Sequence, residues 1–211
     1  MQMKVTGRSA LTGARSADRW RSAIWLKPVV FLLCLLPLIY NAAGVVQGTL
    51  GPNPVEAILH DFGLWSLRLL LVTLCVTPVQ MIFRWGAVAK LRRMLGLFAF
   101  FYAMLHFTVW LVLDQQLSVS SALADIVEKK YITIGMMALV GLLVLAVTSN
   151  RWSVRRLGVR WKSLHRVIYP LAVLTIIHYL WQVRANDVLE PAAYLAVLLV
   201  LMLWRFFRLV K

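Results

Sequence analysis

Three histidines lie in strongly apolar surroundings. His106 sits in MLGLFAFFYAMLHFTVWLVL (94–113), and His165 and His178 stand thirteen residues apart in WKSLHRVIYPLAVLTIIHYLWQV (161–183). A neutral imidazole offers one ring nitrogen as a ligand, and haem iron is a common taker. Thirteen residues of helix rise roughly 20 Å, so His165 and His178 would occupy two depths of a bilayer. His106 and His178 each lie about twelve to fourteen residues into their apolar runs and therefore match in depth. The pattern points to stacked haem sites and an electron path across a membrane. The competing readings are plain packing, a proton relay and a transition-metal site. No acid is expected inside a membrane helix, which weakens the relay, and the eight methionines are scattered, which weakens copper.

The elements that must carry these side chains are membrane helices. The chain has 211 residues and is 61% hydrophobic, well above a soluble domain. Six runs near the length needed for a ~30 Å hydrocarbon core fall at about 28–46, 64–83, 94–113, 131–149, 164–183 and 191–204. The expected fold class is an all-α membrane protein, a six-helix transmembrane bundle with haem between helices three and five. Its domains are a basic N-terminal segment 1–27, the haem bundle 28–205 and a tail 206–211. Pro28 suits a first helical turn; Pro37, Pro78 and Pro170 predict kinks. Pro54–Phe62 reads as a short surface helix, and the sixth helix is short enough to tilt little or to thin the bilayer locally. Small positions such as Gly96, Gly135 and Gly141 allow close helix approach.

The net charge of +15 would suggest nucleic acid in a soluble protein. Its placement excludes that reading. Segments 1–27, 84–93, 150–166 and 205–211 hold 19 of the 23 Lys and Arg and one of the eight acids. This positive-inside pattern puts the N- and C-termini in the cytoplasm. The sequence shows neither G-x-G-x-x-G on a strand–helix turn nor a Walker motif, so a nucleotide- or flavin-binding domain is not expected. Cys34 and Cys75 fall in apolar runs and predict no disulfide. C-x-x-C-H is missing, which argues against covalent haem. The first apolar run reads as a retained helix, not a signal peptide.

Arginines near these runs are the remaining site candidates. Arg92 lies fourteen residues before His106, within 40° of the same helix face, where a fourth ligand would belong. Arginine stays protonated and is a poor iron ligand, so Arg92, with Arg93, is read as a propionate contact. Arg68, a turn inside the second run, reads equally as a snorkelling side chain or as a propionate or quinone contact. His60, outside, is an ordinary interfacial histidine or a docking residue. One expectation fits poorly: on a straight helix His165 and His178 point about 140° apart.

The stretches RRMLGLFAFFYAMLH (92–106), GVRWKSLHRVIYPLAVLTIIHYLW (158–181) and GPNPVEAILHDFGLWSLRLLLVTLCVTP (51–78) closely resemble the MsrQ (YedZ) family, within the ferric-reductase-like transmembrane superfamily. The resemblance covers roughly residues 25–205. It implies a multi-pass protein of the bacterial inner membrane holding one or two b haems, with FMN also associated. It implies electrons taken from the quinone pool or a cytosolic flavin reductase. They would pass to a periplasmic molybdopterin subunit that reduces methionine sulfoxide in oxidised proteins, so this chain would be the electron-transfer subunit and not the catalytic one. The superfamily's ligand pattern carries over to His106 and His178 for the outer iron and His165 for the inner; the sequence departs from it at Arg92. No FMN residue can be mapped, and the basic loop 150–166 invites a flavin phosphate on charge alone. The rivals are a ferric or cupric reductase and a non-redox scaffold.

Overall fold

A computed structural model describes residues 6–183 and 187–209, with side chains described for 25–183 and 187–208. The described residues are helical throughout, joined by short turns. Nine α-helices result: α1 (Thr6–Gln47), α2 (Pro54–Phe83), α3 (Arg92–Val109), α4 (Val119–Glu128), α5 (Lys130–Val147), α6 (Arg151–Leu157), α7 (Val159–His165), α8 (Ile168–Gln182) and α9 (Leu189–Leu209). Six stretches are long and apolar enough to cross a bilayer: Trp25–Gln47, Pro54–Phe83, Val88–Asp114, Lys130–Val147, Val159–Gln182 and Leu189–Arg208. The chain is thus an all-helical, multi-pass membrane protein. Side chains such as Leu32, Val140 and Val200 are exposed, as lipid-facing positions should be.

Local chemistry explains where the helices differ from the sequence expectation. Asn53 caps α2: its Oδ1 accepts the Glu56 amide at 3.3 Å and its Nδ2 donates to the Glu56 carboxylate at 2.9 Å. With Pro54 in the first turn, the expected surface helix 54–62 is instead the start of one 30-residue helix. Pro28 is not a first-turn residue either, because α1 continues through both Pro28 and Pro37. The sixth span needs no thinned bilayer: its helix, α9, is 21 residues long, since Arg205 and Arg208 are good helix formers that extend it.

Two further departures bear on the site. The third span ends in a π-helical turn, Trp110–Asp114, where the Gln115 amide reaches back five residues to the Trp110 carbonyl at 2.8 Å. The fifth span is broken between His165 and Ile168. Pro170 has no N–H for the Arg166 carbonyl. The Tyr169 amide takes that carbonyl instead at 3.2 Å, and the Val167 amide bonds Leu164 at 3.0 Å. His165 and His178 therefore sit on different helices, and the straight-helix phase conflict disappears.

The core is built on two helix pairs, α2 with α3 and α5 with α8, which meet around Leu67, Leu70, Ala99, Tyr102, Ala172 and Ile176. Buried polar groups are satisfied locally: Ser66 Oγ donates to the Ala99 carbonyl at 2.9 Å and Thr73 Oγ1 to that of Leu69 at 2.7 Å. Acids do occur inside helices, contrary to expectation. Asp61 of α2 accepts from the buried Asn41 of α1 at 2.5 Å. Glu190 of α9 pairs with Arg68 of α2 at 3.2 Å. Each ties an outer helix to the central four. At the opposite end, Arg205 of α9 donates to the hydroxyl of Tyr169 and lies 4.4 Å over its ring.

Candidate functional site

His106 on α3 and His178 on α8 face each other with ring centroids 6.2 Å apart and planes at 85°. A metal bonded by two imidazoles at about 2 Å each, with about 1 Å more to each ring centre, sets the centroids roughly 6 Å apart. The rings are already at that separation.

Each ring is fixed from behind. Nδ1 of His106 donates to the Leu59 carbonyl at 2.7 Å, and Nδ1 of His178 to the Tyr131 carbonyl at 2.7 Å. A carbonyl can only accept, so Nδ1 carries the hydrogen and Nε2 keeps its lone pair. Neither Nε2 has a hydrogen-bond partner among the described residues. A carbonyl behind the ring in this way sets the tautomer and direction of metal-bound histidines.

Both histidines line a cavity of about 540 Å³ between the two helix pairs, within the range of small-molecule and cofactor sites. Its deep wall is apolar, with Leu67, Ala103, Ala138 and Leu142. Towards the end that the charge pattern places outside, it is polar, with Glu56, His60, Asp114, Asp125 and Lys129. Lys129 donates to Asp125 at 2.8 Å, and that hydrogen bond holds its ammonium above the usual lysine range. His60 reaches the cavity from α2, its ring 5.7 Å from that of Tyr179.

The other expected site residues lie elsewhere. His165 ends α7, half-buried, with Nε2 3.2 Å from the Ser149 hydroxyl and Nδ1 3.2 Å from the Trp161 carbonyl. Its ring stacks on Trp161 at 3.9 Å. Arg92 opens α3 and donates to Thr77 Oγ1 at 3.3 Å. Arg93 is exposed on the same turn. Arg68 donates to the Tyr194 hydroxyl at 2.7 Å and to Glu190, over the Trp65 ring. None of these four lines the cavity.

Sequence reasoning missed the supporting groups. Leu59 and Tyr131 act through backbone carbonyls, which no side-chain pattern reveals. Gly63 was not singled out, and Gly135 was read only as a packing position. The usable signal was the interval from glycine to histidine, the same in 63→106 and 135→178.

A family model described as "Ferric reductase like transmembrane component" matches residues 62–176, a stretch that holds His106 and ends two residues before His178. A protein from Azospira oryzae named protein-methionine-sulfoxide reductase heme-binding subunit MsrQ is 43% identical over 181 residues, covering 85% of this chain and 78% of the relative. A protein of the same name from Brucella ovis is 40% identical over 200 residues, covering 95% and 90%.

Proposed function

The chain belongs to the MsrQ heme-binding subunits within the ferric reductase like transmembrane family, and from that premise we propose that it is a b-type haem protein carrying electrons across the bacterial inner membrane. The observation that carries the reading is the pair His106 and His178, 6.2 Å apart, with both Nε2 atoms turned to the cavity and both Nδ1 atoms committed to carbonyls.

Haem, when bound, supplies one-electron chemistry at its iron. The chain's own residues do the rest. His106 and His178 would hold the haem iron through their Nε2 atoms. The carbonyls of Leu59 and Tyr131 hold each imidazole in the Nδ1–H form, so neither ring needs to move or exchange a proton when charge changes at Nε2. Leu67, Ala138 and Leu142 keep water from the deep side. Asp114, Asp125 and Lys129 form the polar mouth, on the side where a soluble partner would approach. His165 is the candidate ligand for a second, inner haem, a role in which its Nε2 would leave Ser149. Arg92 and Arg93, on the first turn of α3, are the cations offered to the propionates at that end. Arg68, already paired with Glu190, serves helix packing first.

The donor in this reading is the quinone pool or a cytosolic flavin reductase. The acceptor is a periplasmic molybdopterin subunit that reduces methionine sulfoxide, this chain being the partner that makes no substrate bond. FMN, if carried, belongs at the basic inner face, α6 and α7. Both termini lie in the cytoplasm on the positive-inside pattern.

A reduced-minus-oxidised absorption spectrum of the purified protein, with haem quantified per chain, tests this directly. A sharp α-band of low-spin b haem is expected. A protein that stays colourless after expression with haem supplied ends the proposal.

A further inference from the structure

We propose that Gly63 and Gly135 are positioning residues for the two iron ligands, each present because any side chain there would push the facing imidazole off its carbonyl. The proposal rests on the haem reading above. Gly63 lies four residues after Leu59, and Gly135 four residues after Tyr131, one helical turn beyond the carbonyl that each histidine uses. A Cβ on Gly63 would meet Nδ1 of His106 at 3.0 Å and its Cε1 at 3.2 Å. A Cβ on Gly135 would meet Cε1 of His178 at 2.8 Å and its Nδ1 at 2.9 Å. These are the ring edges that carry the hydrogen bonds. The ring cannot retreat, because its other edge faces the ligand position.

Helix chemistry sharpens the point. Alanine is the better helix former, so Gly→Ala in mid-helix normally stabilises. A loss at these two positions must come from the ring. Two other glycines serve as controls. A Cβ on Gly96 meets only Thr73 Cγ2, at 3.6 Å, an ordinary contact, and the three nearest atoms to one on Gly141 all belong to the Leu171 side chain. The second crowds the α5–α8 pair as a packing clash would, without touching a histidine.

The experiment compares wild type with Gly63→Ala, Gly135→Ala, Gly96→Ala and Gly141→Ala as full-length protein in detergent. It measures haem per chain, haem affinity and low-temperature EPR of the ferric protein. Axial imidazole planes near a right angle, as the 85° here, give a low-spin signal of large anisotropy; planes turned towards parallel give a rhombic one. Gly63→Ala and Gly135→Ala are expected to lose roughly 10–100-fold in haem affinity, the usual cost of disturbing the shell behind a metal ligand, and to shift the EPR signal of the haem retained. Gly96→Ala and Gly141→Ala are expected to keep the wild-type signal. Wild-type spectra and affinity in the first two variants overturn the proposal, as does the same shift in Gly141→Ala. If neither ring-facing variant accumulates, the wild type decides: a large-anisotropy signal supports the proposal and a rhombic one overturns it. A wild type without haem fails the functional reading itself, a result distinct from all of these.

Discussion

Tyr102 of α3 donates its hydroxyl hydrogen to the carbonyl of Cys34 on α1 at 2.7 Å, and the same oxygen accepts the Leu38 amide at 3.2 Å. The ring is fully buried, one helical turn before His106, and packs on Phe62 with centroids 5.8 Å apart. The hydroxyl thereby bridges a donor and an acceptor one turn apart on α1, on either side of Pro37, and fastens α1 to the helix that carries His106. Tyr102→Phe should cost about 1 kcal/mol, the usual net worth of one buried hydrogen bond. Tyr102→Ala should cost about 3–5 kcal/mol, as the ring leaves a cavity. Thermal unfolding in detergent would rank the two; equal losses would contradict the bridging role.

His106→Ala and His178→Ala should each abolish the low-spin signature of the outer haem, because each removes one of two facing ligands. The check is the Soret position and α-band of each purified variant. An unchanged spectrum in either one contradicts the pairing.

His165→Ala should leave that outer signature in place, since His165 lies outside the cavity and bonds Ser149 and Trp161. Any change in haem per chain then reports on a second, inner haem alone. Complete loss of haem in this variant would show that the two regions are not separate.

The Arg68–Glu190 pair should contribute little by itself. The side chains are 34% and 47% exposed, and exposed pairs couple by about 0.2–1 kcal/mol. A double-mutant cycle with Arg68→Met and Glu190→Gln should give a coupling in that range, with the haem spectrum unchanged. A spectral shift on losing Arg68 would instead favour the propionate reading of that residue.

Much of this was written in the residue order. Apolar run lengths and the placement of Lys and Arg were enough to mark six spans, and equal depth was enough to pair His106 with His178. What stayed hidden was set by tertiary contact or by backbone. The break at 166–167 comes from a carbonyl that Pro170 cannot bond, and its place depends on which neighbouring amide takes over. Arg68 read as a site residue because its partners, Glu190 and Tyr194, lie more than 120 residues away. Asp61 and Glu190 fell outside the expected membrane helices because an acid near a helix end looks like an interfacial or loop residue until Asn41 or Arg68 is seen beside it.

The division of the ligands between two helix pairs also orders events during synthesis. At about 5–20 residues per second, roughly 4–14 s separate the emergence of His106 from that of His178. Through that interval the first hairpin, α2 with α3, can already hold its histidine on the Leu59 carbonyl, yet nothing faces it. The opposing ligand arrives only with the fifth crossing. On the haem reading, capture of the cofactor by both histidines would therefore be a late step of biogenesis. A nascent chain arrested before α8 would then hold half a binding site, for quality-control machinery in the bilayer to retain or remove.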